Sequence, residues 1–441
     1  MKTIDVPELN IPRVVIVGGG FAGIELIKGL RNKDVQVVLL DRNNYHTFQP
    51  LLYQVATAGL EPDSIAYPLR KIFKEYQNFH FRLAEVERVE EDNQLIHTNI
   101  GAIKYDYLVL ATGSRTNFFG LENVQENAMP LKTVVQALNL RSLLLQNFEK
   151  ALLTPDVKIR ESLMNFVIVG GGPTGVELAG ALGELKRQVL PSDYPELDMR
   201  RMQIHLMEAG PRLLPGLAQA SSDKSLKFLK DLGVNVWLDT QVKDYNGFEV
   251  KTNHNRAIFT QNMIWSAGVM GNVVDGLKKE VINRGNRLEV NEYNQIKGYK
   301  NVFAVGDIAS MTSEKNPKGH PMVAQVAIQQ GRLLAKNLMH ILHNKKLKPF
   351  SYRDKGSMAT IGRNKAVVEI SKWRSQGALA WFVWMFVHIL FLVGFRNKTI
   401  TMINWLWNYF NYDRGIRLII RPFNRSKKKK EHEEEEKLVM L

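Results

Sequence analysis

Val14-Val-Ile-Val-Gly-Gly-Gly-Phe-Ala-Gly23 and Phe166-Val-Ile-Val-Gly-Gly-Gly-Pro-Thr-Gly175 are two copies of one pattern, an apolar strand that runs into a Gly-x-Gly-x-x-Gly turn opening a helix. Each glycine has a physical job: Gly18 and Gly170 make the tight turn, Gly20 and Gly172 admit a pyrophosphate against the backbone, and Gly23 and Gly175 let helix pack on strand. Helix-terminal N–H groups then face the phosphates. In each copy the next strand ends in an acid placed to bond a ribose, Asp41 after Val37-Val-Leu-Leu and Glu208 after Gln203-Ile-His-Leu-Met. One such turn can arise by chance, whereas two in parallel contexts predict two bound dinucleotides.

The parallel extends further along the chain. Tyr107-Leu-Val-Leu-Ala-Thr-Gly113 follows the first unit as Asn262-Met-Ile-Trp-Ser-Ala-Gly268 follows the second, which sets Thr112 and Gly113 against Ala267 and Gly268. Between turn and closing strand, residues 85–104 and 241–260 alternate with period two and read as small β-meanders. The fold class is therefore α/β, with two duplicated Rossmann-like dinucleotide-binding domains. Residues 136–158 read largely as a helix, and residues 191–201 as an insertion that delays the second acid.

The chain has 441 residues, enough for two or three domain cores, and no segment at its start reads as a signal peptide. It contains no cysteine, which excludes disulfides, thiolate metal sites and any route through a redox-active thiol pair. Disulfide reductases and sulfide oxidisers, built from the same pair of domains, drop out on that ground. No metal signature is present. The net charge of +15 sits largely near the C-terminus, where the lysines at 427–430 run into glutamates, a pattern of a solvated tail and not of a nucleic-acid surface.

The C-terminal region departs from the rest. Residues 377–395 form an uncharged, largely apolar run that as one helix would measure about 28 Å, close to the hydrocarbon thickness of a bilayer. Beyond it, Thr401, Asn404, Asn408 and Asn411 repeat at helical spacing among Ile403, Leu406, Trp407 and Phe410, the pattern of an interfacial helix. Arg414, Arg417, Arg421, Arg425 and the following lysines could meet anionic lipid. An in-plane monotopic anchor is favoured; a transmembrane span at 377–395, a buried core helix and a homodimer contact remain open.

With these residues in view, the chain resembles the FAD-containing type II NADH dehydrogenases, the non-proton-pumping NADH:quinone oxidoreductases. The resemblance rests on Asp41-Arg-Asn-Asn-Tyr-His-Thr-Phe-Gln-Pro-Leu-Leu-Tyr53, the second glycine turn through Gly180, Val305-Gly-Asp307, Ala324-Gln-Val-Ala-Ile-Gln-Gln-Gly331 and Val387-His-Ile-Leu-Phe-Leu-Val-Gly-Phe-Arg396. It implies non-covalent FAD at Gly18, Gly20, Gly23 and Asp41, with Thr112 and Gly113 passing near it and Asp307 toward the ribityl chain. NADH as substrate would then take Gly170, Gly172, Gly175 and Glu208, with Ala267 and Gly268 in the place of Thr112 and Gly113. A carboxylate at Glu208 would repel the extra phosphate of NADPH, unless Arg212 neutralises it.

The resemblance also makes Gln325 and Gln329 a quinone motif, although a pair of glutamines four apart is ordinarily polar helix surface. It sets Glu177 near the flavin, where a carboxylate could deliver protons; the helix dipole alone also favours an acid in that first turn. Asp307 could equally be a turn acid. The implied reaction carries two electrons from NADH through FAD to a membrane quinone at the cytoplasmic face of the plasma membrane. A soluble reductase serving a protein such as a ferredoxin, and an NADH-responsive flavin-binding switch, are the alternatives. The expected domains are 1–116 and 285–343 for FAD, 117–284 for NADH, 344–426 for membrane anchoring and 427–441 for a charged tail.

Overall fold

The computed structural model describes residues 2–254, 256–314, 316–411 and 417–424. Arg414, Arg425, the lysines at 427–430 and the acidic tail lie outside the described residues. Two compact units emerge: 1–47, 67–115 and 269–355 make the first, and 48–66, 116–268 and 356 onward make the second.

The first unit is built on a five-stranded parallel sheet in the order Val302–Ala304, Tyr107–Leu110, Arg13–Val17, Gln36–Asp41 and Phe79–Leu83. Its inner strands read as continuous aliphatic runs because both faces are covered. Val14, Ile16, Val37 and Leu39 pack toward the helices Phe21–Gly29 and Ala324–Leu342. Val15, Val17, Val38 and Leu40 face the opposite core, which includes Val89, Ile96 and Ile103 of an antiparallel meander, Val86–Glu90, Leu95–Thr98 and Gly101–Lys104. The two helices approach closely because Gly29 and Gly331 carry no side chain. A Cβ on Gly331 would collide with the Ala22 carbonyl, and one on Gly29 with the Ala335 methyl.

The second unit repeats the plan. Its parallel sheet runs Met129–Pro130, Asn262–Trp265, Phe166–Val169, Ile204–Met207 and Val234–Trp237, with the antiparallel meander Val242–Tyr245, Glu249–Thr252 and Ala257–Phe259 beside it. The duplication and both meanders expected from the sequence are present. The helix expected over 136–158 is two: Val134–Leu152 starts with a Thr133–Gln136 capping box, Pro155 interrupts the chain, and Asp156 caps Val157–Met164.

Beyond residue 356 the second unit adds a three-stranded antiparallel sheet, Ser357–Gly362, Lys365–Ile370 and Trp373–Gln376, and two helices, Ala378–Phe391 and Phe395–Asn411. The apolar run 377–395 is thus not one helix. Leu392 turns extended and Gly394 takes φ +86°, so the helix stops after 14 residues, about 21 Å. Among the described residues no helix is long and apolar enough to cross a membrane, which removes the span at 377–395.

The second of these helices is inverted relative to a soluble one. Asn397, Thr401 and Trp405 are buried on its inner face. Asn397 donates to the Asp63 and Ala66 carbonyls at 2.8 and 3.1 Å, Trp405 to Gln54 at 2.8 Å and Asn408 to the Gly59 carbonyl at 3.3 Å. Its apolar residues point out: Trp407 is 61% and Phe410 71% exposed.

Candidate nucleotide and quinone sites

The glycines of both cradles stand as their spacing requires. Gly18 and Gly170 have φ +105° and +112°, conformations that disfavour a side chain. A Cβ on Gly23 would strike the Gly18 carbonyl, and one on Gly175 the Gly170 carbonyl. At Gly20 and Gly172 an added Cβ meets nothing within 4 Å. Open space over a helix start, against bare backbone, is what a pyrophosphate needs, so the residues at both cradles fit a dinucleotide.

The two acids also match. Asp41 accepts the Gly19 N–H at 2.6 Å and the Asn43 N–H at 2.7 Å; Glu208 accepts the Gly171 N–H at 2.6 Å and the Gly210 N–H at 2.7 Å. Burial raises the Asp41 pKa above the usual aspartate value, against the pull of those two N–H groups. His46, which the sequence left unassigned, holds the same loop from the other side through a 3.1 Å bond between Nδ1 and the Gly19 carbonyl. Burial depresses its pKa to about 4, so it is neutral and Nδ1 carries the proton in that bond. Arg212 is turned into its own loop, donating to the carbonyls of Leu217 at 3.0 Å and Pro215 at 2.6 Å.

Thr112 donates its hydroxyl to the Asn272 carbonyl at 2.6 Å, and Gly113 at φ +71° has open space where a Cβ would stand. Ala267 abuts Gly170 as Ala111 abuts Gly18, and the Phe119 ring covers Gly268. Asp307 lies in the turn Gly306–Ile308 and accepts the Ser114 hydroxyl at 2.6 Å; its backbone carbonyl takes the Arg287 Nε–H at 2.9 Å.

The three glutamines on the helix Ala324–Leu342 have different fates. Gln329 exchanges two hydrogen bonds with the Arg353 backbone, at 2.9 and 3.0 Å. Gln330, which the sequence did not single out, is 1% exposed and accepts the Gly306 N–H at 2.7 Å. Gln325 keeps a buried Oε1 with no protein donor on it. These side chains belong to the first unit, whereas Glu177 belongs to the second.

Glu177 is buried in the helix Pro173–Gln188, which packs under the strand Ser357–Gly362 so closely that a Cβ on Gly180 would collide with the Ile361 carbonyl. Burial pushes its pKa up to about 8; the Thr360 N–H, 3.4 Å away, and Trp384 offset this only in part. A carboxyl in that state carries a proton at neutral pH and can give it up.

Two nucleotide cradles on two like domains define the class of protein. Residues 12–331 match the pyridine nucleotide-disulphide oxidoreductase family, and residues 355–411 match the NDH2 C-terminal domain. The chain is 34% identical to the type II NADH:quinone oxidoreductase Ndh of Mycobacterium tuberculosis over 91% of this chain and 89% of that protein. It is 33% identical to a type II NADH:quinone oxidoreductase of Haemophilus influenzae over 80% and 86%. Among solved structures, NDH2 from Plasmodium falciparum in complex with NADH superposes with a TM-score of 0.87 at 21% identity, covering 93% of this chain and all of that one. A sulfide:quinone oxidoreductase of Aquifex aeolicus shares the fold at 0.70 and 22% identity, covering 93% and 96%. The chain belongs to the type II NADH:quinone oxidoreductase family.

Proposed function

We propose that this enzyme, an FAD-dependent NADH:quinone oxidoreductase, passes two electrons from NADH to a membrane quinone while resting on a lipid surface by its two C-terminal helices. The observation that carries the reading is the pair of cradles in a chain without cysteine: two dinucleotides are accommodated, and no thiol can accept the electrons. FAD bound over Gly18, Gly20 and Gly23, with Asp41 toward its ribose and Asp307 toward its ribityl chain, supplies the two-electron chemistry. Gly170, Gly172 and Gly175 receive NADH. Glu208 selects it over NADPH, since Arg212 is occupied by its own loop carbonyls.

Gln325 offers its amide N–H to a quinone carbonyl, and its buried Oε1, which has no protein donor on it, can accept the hydroxyl that forms there on reduction; the tethered Gln329 shares neither role. Glu177 holds a proton for the quinone oxygen. The outward apolar residues of the helices Ala378–Phe391 and Phe395–Asn411, with Phe386 64% and Phe395 86% exposed, support in-plane attachment. Arg421 can meet lipid phosphate, whereas Arg417 is paired with Asp193 at 2.5 Å. A soluble reductase would have no use for this apolar face.

The test is anaerobic stopped-flow absorbance on detergent-purified enzyme. NADH should bleach the flavin band and a short-tailed quinone should restore it quickly, with restoration slowed in Gln325→Ala. Bleaching without restoration would remove the quinone from the reaction.

A further inference from the structure

The helix Pro173–Gln188 turns two carboxylates toward one cavity. Glu177, Ala181 and Glu184 fall at i, i+4 and i+7, one stripe of the helix, and line a cavity of about 110 Å³ inside the second unit. Arg363 from the turn after Ser357–Gly362 and Trp384 from Ala378–Phe391 line it as well. Glu177 is 7% exposed; Glu184 is only half-buried and accepts the Arg363 backbone N–H. Along the axis the two acids stand about 10 Å apart, too far for direct transfer. A cavity of this size has room for several waters, and Glu177, Glu184, Thr360, Arg363 and Asn408 on its wall offer them polar partners.

The reaction needs such a route. NADH gives up a hydride, two electrons and one proton, while a quinone becomes a quinol by taking two electrons and two protons. One proton per turnover therefore comes from bulk water. A buried acid that donates it is left as a carboxylate and stays so until a proton reaches it.

We propose that Glu184 takes this proton from bulk water and relays it through water in the cavity to the Glu177 carboxylate. The proposal rests on the reading of Glu177 as the proton donor to quinone. In each cycle the Glu177 carboxyl loses its proton to the quinone oxygen, a cavity water reprotonates it, and Glu184 returns the proton to that water before drawing another from solvent. The other charged or titratable groups on the cavity wall are Arg363, Tyr53 and Tyr409. The high pKa of Glu177 means the resting enzyme is already loaded for its first turnover.

That loading makes the test sharp. Glu184→Gln keeps an acceptor for the Arg363 N–H and removes the exchangeable proton. With pre-reduced enzyme and limiting short-tailed quinone, the first flavin reoxidation should match that of the parent, whereas steady-state turnover should fall about tenfold or more and recover with added formate. Ala181→Leu, which fills the space between the acids, should show the same split. Glu177→Gln should slow the first reoxidation itself. Unchanged steady-state turnover in Glu184→Gln, a first reoxidation slowed as in Glu177→Gln, or no recovery with formate would overturn the relay. Failure of the parent enzyme to reoxidise with quinone would instead overturn the underlying reading.

Discussion

The Gln330 side-chain oxygen accepts the Gly306 N–H at 2.7 Å, both groups buried, and so ties the helix that carries Gln325 to the turn that carries Asp307. Gly306 has φ +77°, a backbone that its neighbours must hold in place. Replacing Gln330 by leucine keeps the bulk and strands the N–H, at a cost of about 1–3 kcal/mol. The expected outcome is a lower melting temperature and faster release of flavin, read from the fluorescence of freed flavin after dilution.

The two cradles can be told apart by one methyl group each. Gly23→Ala and Gly175→Ala force a Cβ onto the carbonyls of Gly18 and Gly170. Gly23→Ala should be purified with little or no flavin. Gly175→Ala should retain flavin, bleach with dithionite, and need roughly tenfold or more NADH for the same bleaching rate, a scale of about 1.4 kcal/mol of binding. The reverse pattern would exchange the two assignments.

The outward face of the C-terminal helices is tested by charge. Trp407 and Phe410 together should contribute about 3 kcal/mol or more to insertion among lipid chains, so the double aspartate variant should bind liposomes about a hundredfold more weakly. Flotation with vesicles measures this. Ferricyanide reduction by NADH should be unchanged, because neither residue lies in a cradle.

Three histidines make the fold sensitive to acid. Burial depresses His46, His205 and His388 to about 4 each, so the folded chain leaves them neutral in a window where the unfolded chain protonates them. The unfolded state binds more protons between about pH 4 and 6.5, and stability falls as pH drops through that window, each group adding a slope approaching 1.4 kcal/mol per pH unit, roughly. Glu177 acts the other way: its raised pKa keeps a proton that the unfolded chain releases, so its contribution grows as pH falls from about 8. Three groups outweigh one. The melting temperature should drop from pH 7 to pH 5, and less steeply in His46→Gln.

Much of this was legible in the residues. The glycine turns, their following acids and the period-two meanders dictate local geometry that neighbours do not override, and both parallel sheets follow. The three glutamines of Ala324–Leu342 were not separable, because Gln325, Gln329 and Gln330 are the same residue until burial gives each a different partner. The cavity beside Glu177 was invisible for a related reason: its wall is assembled from segments far apart in the chain. For Phe395–Asn411, periodicity revealed two faces without their sense. A polar stripe at helical spacing looks the same whether it meets water or, as with Asn397 and Asn408, the carbonyls of its own fold.

That sense changes what attachment to a membrane requires. Many surface-seeking peptides are coils in water and become helical only on contact with lipid, so part of their interaction energy is spent on ordering the chain. Here Asn397, Trp405 and Asn408 anchor the helix to the segment 54–66 before any lipid arrives. Arrival at a bilayer is then the landing of a finished surface, and damage to the inward-facing asparagines would show itself as poor membrane affinity although they never touch a lipid.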